Sequence, residues 1–158
     1  MLKKTHLIAS FTPVFIFTGN LEYALVASTF GVISDLDLAL GMKHRTVTHS
    51  LLFAILVPLL SGIINPAYGV LALYGILSHI ILDMLTKSGV ELYWPLKRRV
   101  RISRFSYNSV VPNYLIILAC ILALYYYSAE KIGVISGLPI FKEALKFPDI
   151  NINLFFRP

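Results

Sequence analysis

Apolar residues gather into five runs along the chain, separated by polar and turn-forming residues. The runs cover residues 6–18, 21–38, 47–64, 67–85 and 111–128. A helix rises about 1.5 Å per residue and needs roughly 20 apolar residues to cross the hydrocarbon core of a bilayer. The last four runs reach or approach that length, whereas the first is short and contains Pro13. The pattern predicts an all-α fold, a polytopic transmembrane helical bundle with about four to five spans.

Composition agrees with a membrane protein. Of the 158 residues, 57% are hydrophobic and the mean hydropathy is +0.75, whereas a soluble domain is about 45–50% apolar. We expect one transmembrane domain at residues 1–128 and a C-terminal interfacial tail at residues 129–158. Within the tail, residues 140–147 are predicted to form a short amphipathic helix and residues 154–156 an apolar patch, both at the membrane surface.

Two local features predict how the helices pack. Asn65-Pro66 is a tight, uncharged turn, so we expect the third and fourth runs to form an antiparallel hairpin. Small residues, which let membrane helices approach closely, recur at helical spacing in the second and fourth runs. These small residues are Ala27, Gly31, Gly69, Ala72 and Gly75.

Basic residues predict the orientation of the bundle. The chain has 14 Lys and Arg against 8 Asp and Glu, and the basic residues before position 105 fall on one side if the helices alternate. These are Lys3, Lys4, Lys43, Arg45, Lys87, Lys97, Arg98, Arg99, Arg101 and Arg104. The positive-inside rule places that side in the cytoplasm, with the protein in the cell membrane. The N-terminal stretch has some features of a signal peptide but no small-x-small cleavage site, so we expect it to be retained.

Seven histidines and aspartates from four segments of the chain fall on that same side. They are His6, Asp35, Asp37, His44, His49, His79 and Asp83. An ionisable side chain at membrane depth costs roughly 2.5–3.5 kcal/mol even on a lenient insertion scale, so such residues usually mark a functional site. Their convergence predicts a polar site between the helices at the cytoplasmic face of the membrane.

The strongest local signals are at His79, Asp83 and His49. His79 and Asp83 are four residues apart and share one helix face, so they can bind one metal, or form a hydrogen-bonded pair that only fixes helix packing. Thr46 or Thr48 could cap the third helix, which would place His49 in its first turn. His49 is then a ligand beside His79, or an ordinary histidine at the membrane interface.

The other acidic and histidine residues give weaker signals. Asp35 and Asp37 would diverge on a helix, but both can turn inward if the second helix unwinds at its end. His6 is either a ligand or a plain interface residue. His44 would not share the helix face of His49, so we expect it in a loop or in contact with substrate. Glu91 is expected to be a solvated loop residue.

Arg45 and the basic segment 97–104 suggest anionic partners. Arg45 and the run Lys97-Arg98-Arg99 can attract a phosphate or an anionic head group, so membrane lipids are the expected partners. The run is better explained as a positive-inside flank. The chain has no phosphate-binding glycine loop and no nucleic-acid motif, so no nucleic acid is expected.

Mixed histidine and carboxylate ligands suit a divalent transition metal, which would be Zn, Mn or Fe. The predicted ligands are His6, Asp35, Asp37, His49, His79 and Asp83. Among them, Asp37, His49 and Asp83 are the predicted catalytic residues, while His44 and Arg45 are predicted to contact the substrate. Such a metal lowers the pKa of its water from about 15.7 toward about 7, and a spare carboxylate can then take the proton.

The order of these motifs resembles that of a known family. The chain reads Thr5-His6, Ser34-Asp35-Leu36-Asp37, His-Arg-Thr-Val-Thr-His-Ser at 44–50, Ser-His-Ile-Ile-Leu-Asp at 78–83, then Thr86, Gly89 and Trp94-Pro95-Leu96. This resembles the membrane-bound metal-dependent hydrolase family, whose bacterial members include a LexA-regulated inner-membrane protein. The resemblance covers roughly residues 5–100 and implies a multi-pass helical protein with a metal site and hydrolase activity. By position, the polar residues characteristic of that family fall on the seven residues named above.

Two positions depart from the pattern of that family. Ser34 stands where relatives often have proline, and Thr46 stands where glycine is frequent. Neither departure removes a candidate ligand.

Three functions are consistent with the sequence. The first is a metal-dependent hydrolase in which metal-activated water attacks a membrane-associated substrate, such as a phospholipid or another phosphoester. The second is a transporter or proton-relay protein that uses the intramembrane histidines and aspartates. The third is a scaffold in which these groups only fix helix packing.

Overall fold

The computed structural model describes residues 1–131. The predicted amphipathic helix at 140–147 and the apolar patch at 154–156 therefore lie outside the described residues. The described helices are α1 (Lys3–Thr18), α2 (Leu21–Ile33), α3 (Leu36–Ala39), α4 (Leu51–Ile64), α5 (Pro66–Met84) and α6 (Val110–Lys131), with a 3₁₀ turn at Val47–His49. Between residues 1 and 131 the chain forms no strand, and its β-type pairing is limited to two isolated bridges, Thr86–Phe105 and Val90–Val100.

Two of the helices meet the length and hydropathy needed to cross a membrane. They are α5, with 19 residues, and α6, with 22 residues, while α2 and α4 are shorter apolar helices. The predicted all-α fold is confirmed for the described part of the chain. The number of four to five spans remains a prediction, because helices of 13 and 14 residues fall short of the roughly 20 that a perpendicular span needs.

The second apolar run forms one helix only as far as Ile33, so the helix unwinds before Asp35 and Asp37, which is one of the alternatives that the sequence left open. Helix α2 ends at Ile33, and after a turn at Ser34 and Asp35 the short helix α3 begins. The break directs Asp37 inward, where its carboxylate accepts the backbone N–H of Arg45 at 3.0 Å. A buried carboxylate needs such donors, and a continuation of α2 would leave Asp37 on another face.

The start of the third apolar run also differs from the prediction. Neither Thr46 nor Thr48 caps a helix, because the Thr46 hydroxyl donates to Lys43 O and the Thr48 hydroxyl donates to Asp37. Ser50 caps α4 by accepting the Phe53 N–H at 3.3 Å. His49 therefore lies in the 3₁₀ turn before α4 and not in the first turn of that helix.

The hairpin predicted at Asn65-Pro66 is confirmed. Asn65 ends α4 by donating its N–H to Ser61 O at 3.1 Å, and its side chain caps α5 by accepting from Ala67 N at 2.9 Å. Pro66 occupies the first turn of α5, where its missing N–H has no helical acceptor to lose. One residue thus satisfies backbone groups of both helices.

Helix α5 lies at the centre of the bundle, packed against α1, α2 and α4, while α6 packs against α1. The close approach predicted from small residues is confirmed at Gly75, where an added Cβ would lie 2.5 Å from Ala27 O and 2.8 Å from Gly31 N. Nearer the start of α5, a Cβ on Gly69 would lie 2.9 Å from the Gly62 Cα. Backbone therefore packs directly on backbone at both places.

The helix ends that carry the histidines and aspartates meet at one end of the bundle. The start of α6 joins them through Asn113, whose side-chain oxygen accepts from the Thr5 hydroxyl at 2.8 Å and from Leu2 N at 3.0 Å. Asn113 was not singled out from the sequence, although a lone amide within an apolar run is a signal for such a role. It is fully buried and fixes α6 to α1.

Candidate functional site

The four histidines of the chain contact one another in series. His6 stacks on His79 with ring centroids 3.8 Å apart, His79 meets His49 edge to face at 4.9 Å, and His49 meets His44 at 5.0 Å. The rings come from α1, α5, the 3₁₀ turn and the loop before it. The structure therefore brings together residues from four separate segments, as the charge pattern predicted.

The first group of potential ligands is carried by helices, and we call it the helix triad: His6, His79 and Asp83. One nitrogen or oxygen from each residue lies within 4.8 Å of the others. All three side chains are almost completely buried, and His6 Nε2 is 3.3 Å from Asp83 Oδ1. The other ring nitrogen of His6, Nδ1, has no hydrogen-bond partner among residues 1–131. This nitrogen is therefore free to bind a group from outside the chain.

The second group is carried by the chain between α2 and α4, and we call it the turn triad: Asp35, His44 and His49. Its ligand atoms also lie within 4.8 Å of one another. Unlike the helix triad, it reaches the surface, since the side chains of Asp35 and His44 are 12% and 31% exposed. The cluster therefore has a closed side formed by helices and an accessible side formed by the turn.

The two triads adjoin at His49 and His79. The Nε2 atoms of these two rings are 3.1 Å apart. Asp35 Oδ1 is 3.7 Å from His79 Nε2, and His49 Nε2 is 3.5 Å from Asp83 Oδ2. Each triad thus has a carboxylate near the histidine of the other, an arrangement with enough donors for one metal ion or for two adjacent ions.

Hydrogen bonds fix the orientation of both central rings. His79 Nδ1 lies 2.7 Å from Gly31 O, which can only accept, so Nδ1 carries the proton. The Thr48 hydroxyl donates to Asp37 and therefore accepts from His49 Nδ1 at 3.0 Å. When both rings are neutral, their Nε2 lone pairs face each other and repel unless a cation or a shared proton lies beside them. Metal-binding histidines characteristically have the distal N–H bonded in this way.

Asp37 lies outside both triads, although it was predicted as a ligand and catalytic residue. Its oxygens accept from His44 Nδ1 at 2.9 Å, from Arg45 N at 3.0 Å and from the Thr48 hydroxyl at 3.0 Å. Burial alone raises the pKa of Asp37, but these hydrogen bonds outweigh it and hold the pKa below its ordinary value. Asp37 is therefore an ionised anchor that orients His44 and, through Thr48, His49.

Arg45 follows His44 of the turn triad along the chain, and its side chain contacts Asp83 of the helix triad. Its backbone has a positive φ of 66°, which is uncommon for a residue with a side chain. Its guanidinium is buried, with Nε 2.9 Å from Asp83 Oδ2 and an N–H donated to the Thr86 hydroxyl at 2.6 Å. The predicted contact of Arg45 with substrate is untested, and in the structure its charge is directed to Asp83. The amino group of Met1 also contacts Asp83.

The donor set fits a divalent transition metal. The histidine nitrogens and carboxylate oxygens of the two triads are the ligands that Zn, Mn and Fe share. Two structural observations support the fit: the unpartnered Nδ1 of His6 and the facing Nε2 atoms of His49 and His79.

Glu91 was predicted to be solvated, and that prediction is wrong. Its side chain is buried, with Oε1 3.2 Å from Lys43 Nζ and 3.7 Å from Arg99 Nε. Its N–H donates to Arg45 O at 3.0 Å, so it fixes the loop that carries Arg45. No hydrophobic periodicity surrounds Glu91, so the sequence offered no signal of its burial.

Fold and site together define a helical membrane protein with a buried cluster of histidines and aspartates. The chain belongs to the YdjM inner membrane protein family, which it matches over residues 1–141. It is similar to "Uncharacterized protein YvsG" of Bacillus subtilis (strain 168), with 34% identity over 86 residues that cover 53% of this chain and 54% of that relative. The chain thus matches only about half the length of that relative. No solved structure matches the chain.

Proposed function

We propose that this protein is a membrane-bound metal-dependent hydrolase. The observation that carries the proposal is the pair of Nε2 atoms, of His49 and His79, that face each other at 3.1 Å while their Nδ1 atoms are engaged elsewhere. A cation bound by residues of the two triads would stabilise such a pair. Family membership supports the inner membrane as the location, and the resemblance of the sequence motifs supports the reaction class.

The helix triad and the turn triad would hold one or two ions of Zn, Mn or Fe. In this ligand set His44 replaces Asp37, which the sequence had predicted as a ligand. The carboxylate oxygens of Asp37 already accept hydrogen bonds from His44, Arg45 and Thr48. A bound divalent ion supplies a Lewis acid that lowers the pKa of a coordinated water from about 15.7 toward about 7.

The carboxylates of the cluster have different environments and therefore different roles. Asp83 is buried beside the Arg45 guanidinium, and Asp37 is buried beneath His44. Asp35 is the partly exposed one, and no hydrogen bond engages its side chain in the part of the chain described. Asp35 is therefore the residue that accepts the proton from the attacking water at a carboxylate oxygen.

The substrate we propose is a membrane-associated phosphoester, such as a phospholipid. The accessible side of the cluster, at Asp35 and His44, belongs to the same connecting segments as Lys43, an exposed cation. The positive-inside rule puts this end of the bundle at the cytoplasmic face, at the depth of lipid head groups.

Metal content of the purified full chain tests the proposal. A tag without histidine is needed, because a polyhistidine tag would itself bind the transition metal that is measured. We expect one to two equivalents of transition metal per chain, lost in His79→Ala. Tyr74→Phe is the matched control on α5, since it removes a hydrogen bond to Ala9 O but no ligand, and it should retain the metal. Folded wild-type protein that stays metal-free without chelators would falsify the proposal.

Turnover is tested separately, with membrane phospholipids as substrates and mass spectrometry of the products. We expect hydrolysis that requires metal and is lost in Asp35→Asn, while the metal content of that variant falls less than that of His79→Ala. Hydrolysis that is unaffected by Asp35→Asn would exclude Asp35 as the proton acceptor.

A proton-relay protein is the second candidate, and the continuous series of histidine rings favours it. Beyond the cluster, the polar series extends along the bundle to Ser10 and Ser78, whose hydroxyls are 2.7 Å apart. Proton flux into liposomes that contain the protein separates the two functions. Flux abolished by Asp83→Asn, without metal in the wild-type protein, would favour the relay.

A further inference from the structure

A basic cleft lies in the loop between α5 and α6, outside the histidine cluster. It has a volume of about 420 Å³ and is lined by Tyr93, Arg98, Arg99, Val100 and Arg101. Its wall is fixed by the bridge between Val90 and Val100, which exchange backbone hydrogen bonds of 3.0 and 2.8 Å. The cleft is thus formed by ordered backbone and not only by extended side chains.

The three arginines of the cleft have different partners. Arg99 is fixed at its base, with Nε 3.7 Å from the buried Glu91 and an N–H donated to Ser88 O at 3.1 Å. Arg98 and Arg101 form no ion pair with a carboxylate anywhere in residues 1–131. Two exposed guanidinium groups without a counter-charge therefore border one cleft, and guanidinium groups bind phosphate oxygens in a bidentate manner.

Exposed apolar side chains lie close to these arginines along the chain. Tyr93, Trp94, Leu96 and Ile102 are exposed, with Leu96 the most exposed at 67%. Tyr and Trp are enriched where a membrane protein meets the head-group region, and apolar side chains at that level enter the acyl boundary. A soluble phosphate compound would leave these side chains in water, whereas a lipid would cover them.

We propose that this cleft binds the phosphate group of an anionic phospholipid. Arg98 and Arg101 contact the phosphate oxygens, while the surrounding aromatic and aliphatic residues lie among the acyl chains. This site does not depend on the metal centre. It differs from a general attraction of lipids to a basic loop, because it requires the two arginines that line the cleft.

Lipid titration of the full chain in detergent, followed by native mass spectrometry, tests the proposal. The probes are phosphatidylglycerol, phosphatidylcholine and soluble glycerol 3-phosphate. The cleft variant is Arg98→Gln with Arg101→Gln. The matched control is Lys97→Gln with Arg104→Gln, which removes the same charge from the same loop without touching the lining of the cleft. Arg99 is left intact because it is bonded to Glu91 and Ser88.

We expect the wild-type chain to prefer phosphatidylglycerol, and the cleft variant to weaken its binding at least about tenfold more than the control variant does. Should the cleft variant unfold, Arg98→Lys with Arg101→Lys keeps the charge but removes the planar fork, and we expect it to weaken binding as well. Equal losses in the cleft and control variants would show a diffuse positive field and overturn the site. Equal binding of phosphatidylcholine would overturn the anionic preference, and displacement by similar concentrations of glycerol 3-phosphate would overturn the lipid source.

Discussion

The helix triad and the turn triad offer similar ligands but are held in different ways. The helix triad is positioned by α1 and α5, and packed backbone at Gly31 and Gly75 sets the separation of the adjoining helices α2 and α5. The turn triad lies on a short connection whose side chains are gathered by one buried carboxylate, that of Asp37. One half therefore depends on helix packing, and the other depends on hydrogen bonds.

This difference suggests that the two triads have different roles in the proposed site. A rigid, buried set of ligands gives high metal affinity, because little conformational freedom is lost on binding. A partly exposed set on a turn gives access to water and substrate. Changes to the helix triad should therefore affect metal affinity most, and changes to the turn triad should affect turnover most.

The largest effect is expected where the two triads are joined. Arg45→Met removes the guanidinium beside the buried Asp83 and should lower the free energy of unfolding of the metal-free protein by about 3–5 kcal/mol. Thermal or chemical unfolding in detergent measures this. The exposed Arg104→Met is the control and should change stability by less than about 0.5 kcal/mol. A similar small change in both variants would mean that Asp83 does not need its counter-charge.

The next effect separates the two triads by metal affinity. His6→Gln removes a buried ligand and should weaken metal binding about 100-fold, whereas His44→Gln, at the exposed edge, should weaken it about tenfold. Competition with a fluorescent chelator measures both affinities. Equal losses of metal affinity in the two variants would contradict the distinction between a rigid helix triad and an adaptable turn triad.

Helix packing is tested at Gly75. An added methyl group would meet Ala27 O at 2.5 Å, so Gly75→Ala should lower the free energy of unfolding by about 1–3 kcal/mol and disturb the helix triad. Gly62→Ala is the matched control, because its nearest contact would be at an ordinary 3.7 Å. That control should be neutral or slightly stabilising, since alanine favours helix more than glycine does. Stability unchanged in Gly75→Ala would show that α2 and α5 can separate without cost.

The smallest effect is expected in the turn. In Asp37→Asn the new side chain keeps one acceptor oxygen but loses the charge. This substitution should therefore lower the free energy of unfolding by about 1 kcal/mol. Asp35→Asn, which removes a partly exposed carboxylate, should leave stability unchanged and reduce turnover. Unfolding curves and lipid hydrolysis, measured on the same preparations, distinguish the two aspartates. Loss of turnover without loss of stability in Asp37→Asn would restore Asp37 as a catalytic residue.

Sequence alone predicted the pairing of His79 with Asp83 well, whereas His6, the third member of the helix triad, gave only a weak signal. His79 and Asp83 are four residues apart on one helix, and helical geometry places such residues on one face. The helices α5 and α6 were also found to within a few residues, because long apolar runs leave few alternatives.

The turn triad required tertiary information. Three hydroxyl residues near His49 compete to cap α4, and Ser50 does so because Asp37 takes the hydroxyl of Thr48. Asp37 is fully buried because α2 ends at Ile33. The sequence allowed for an unwound end of this helix but did not locate it. The burial of Glu91 likewise depends on Lys43, which is distant in sequence. Contacts of this kind follow from the assembled fold and not from periodicity.

The separation of His6 and Asp83 along the chain has a consequence for biosynthesis. His6 is synthesised with the first helix, whereas Asp83 is synthesised only at the end of α5. During that interval His6 lacks Asp83, and the helix triad is incomplete. The contact between His6 and Asp83 forms late in folding, because the chain between the two residues must be ordered first. If the proposed metal binds, its uptake would follow synthesis of α5, and metal retained by a nascent chain would show that the helix triad is complete.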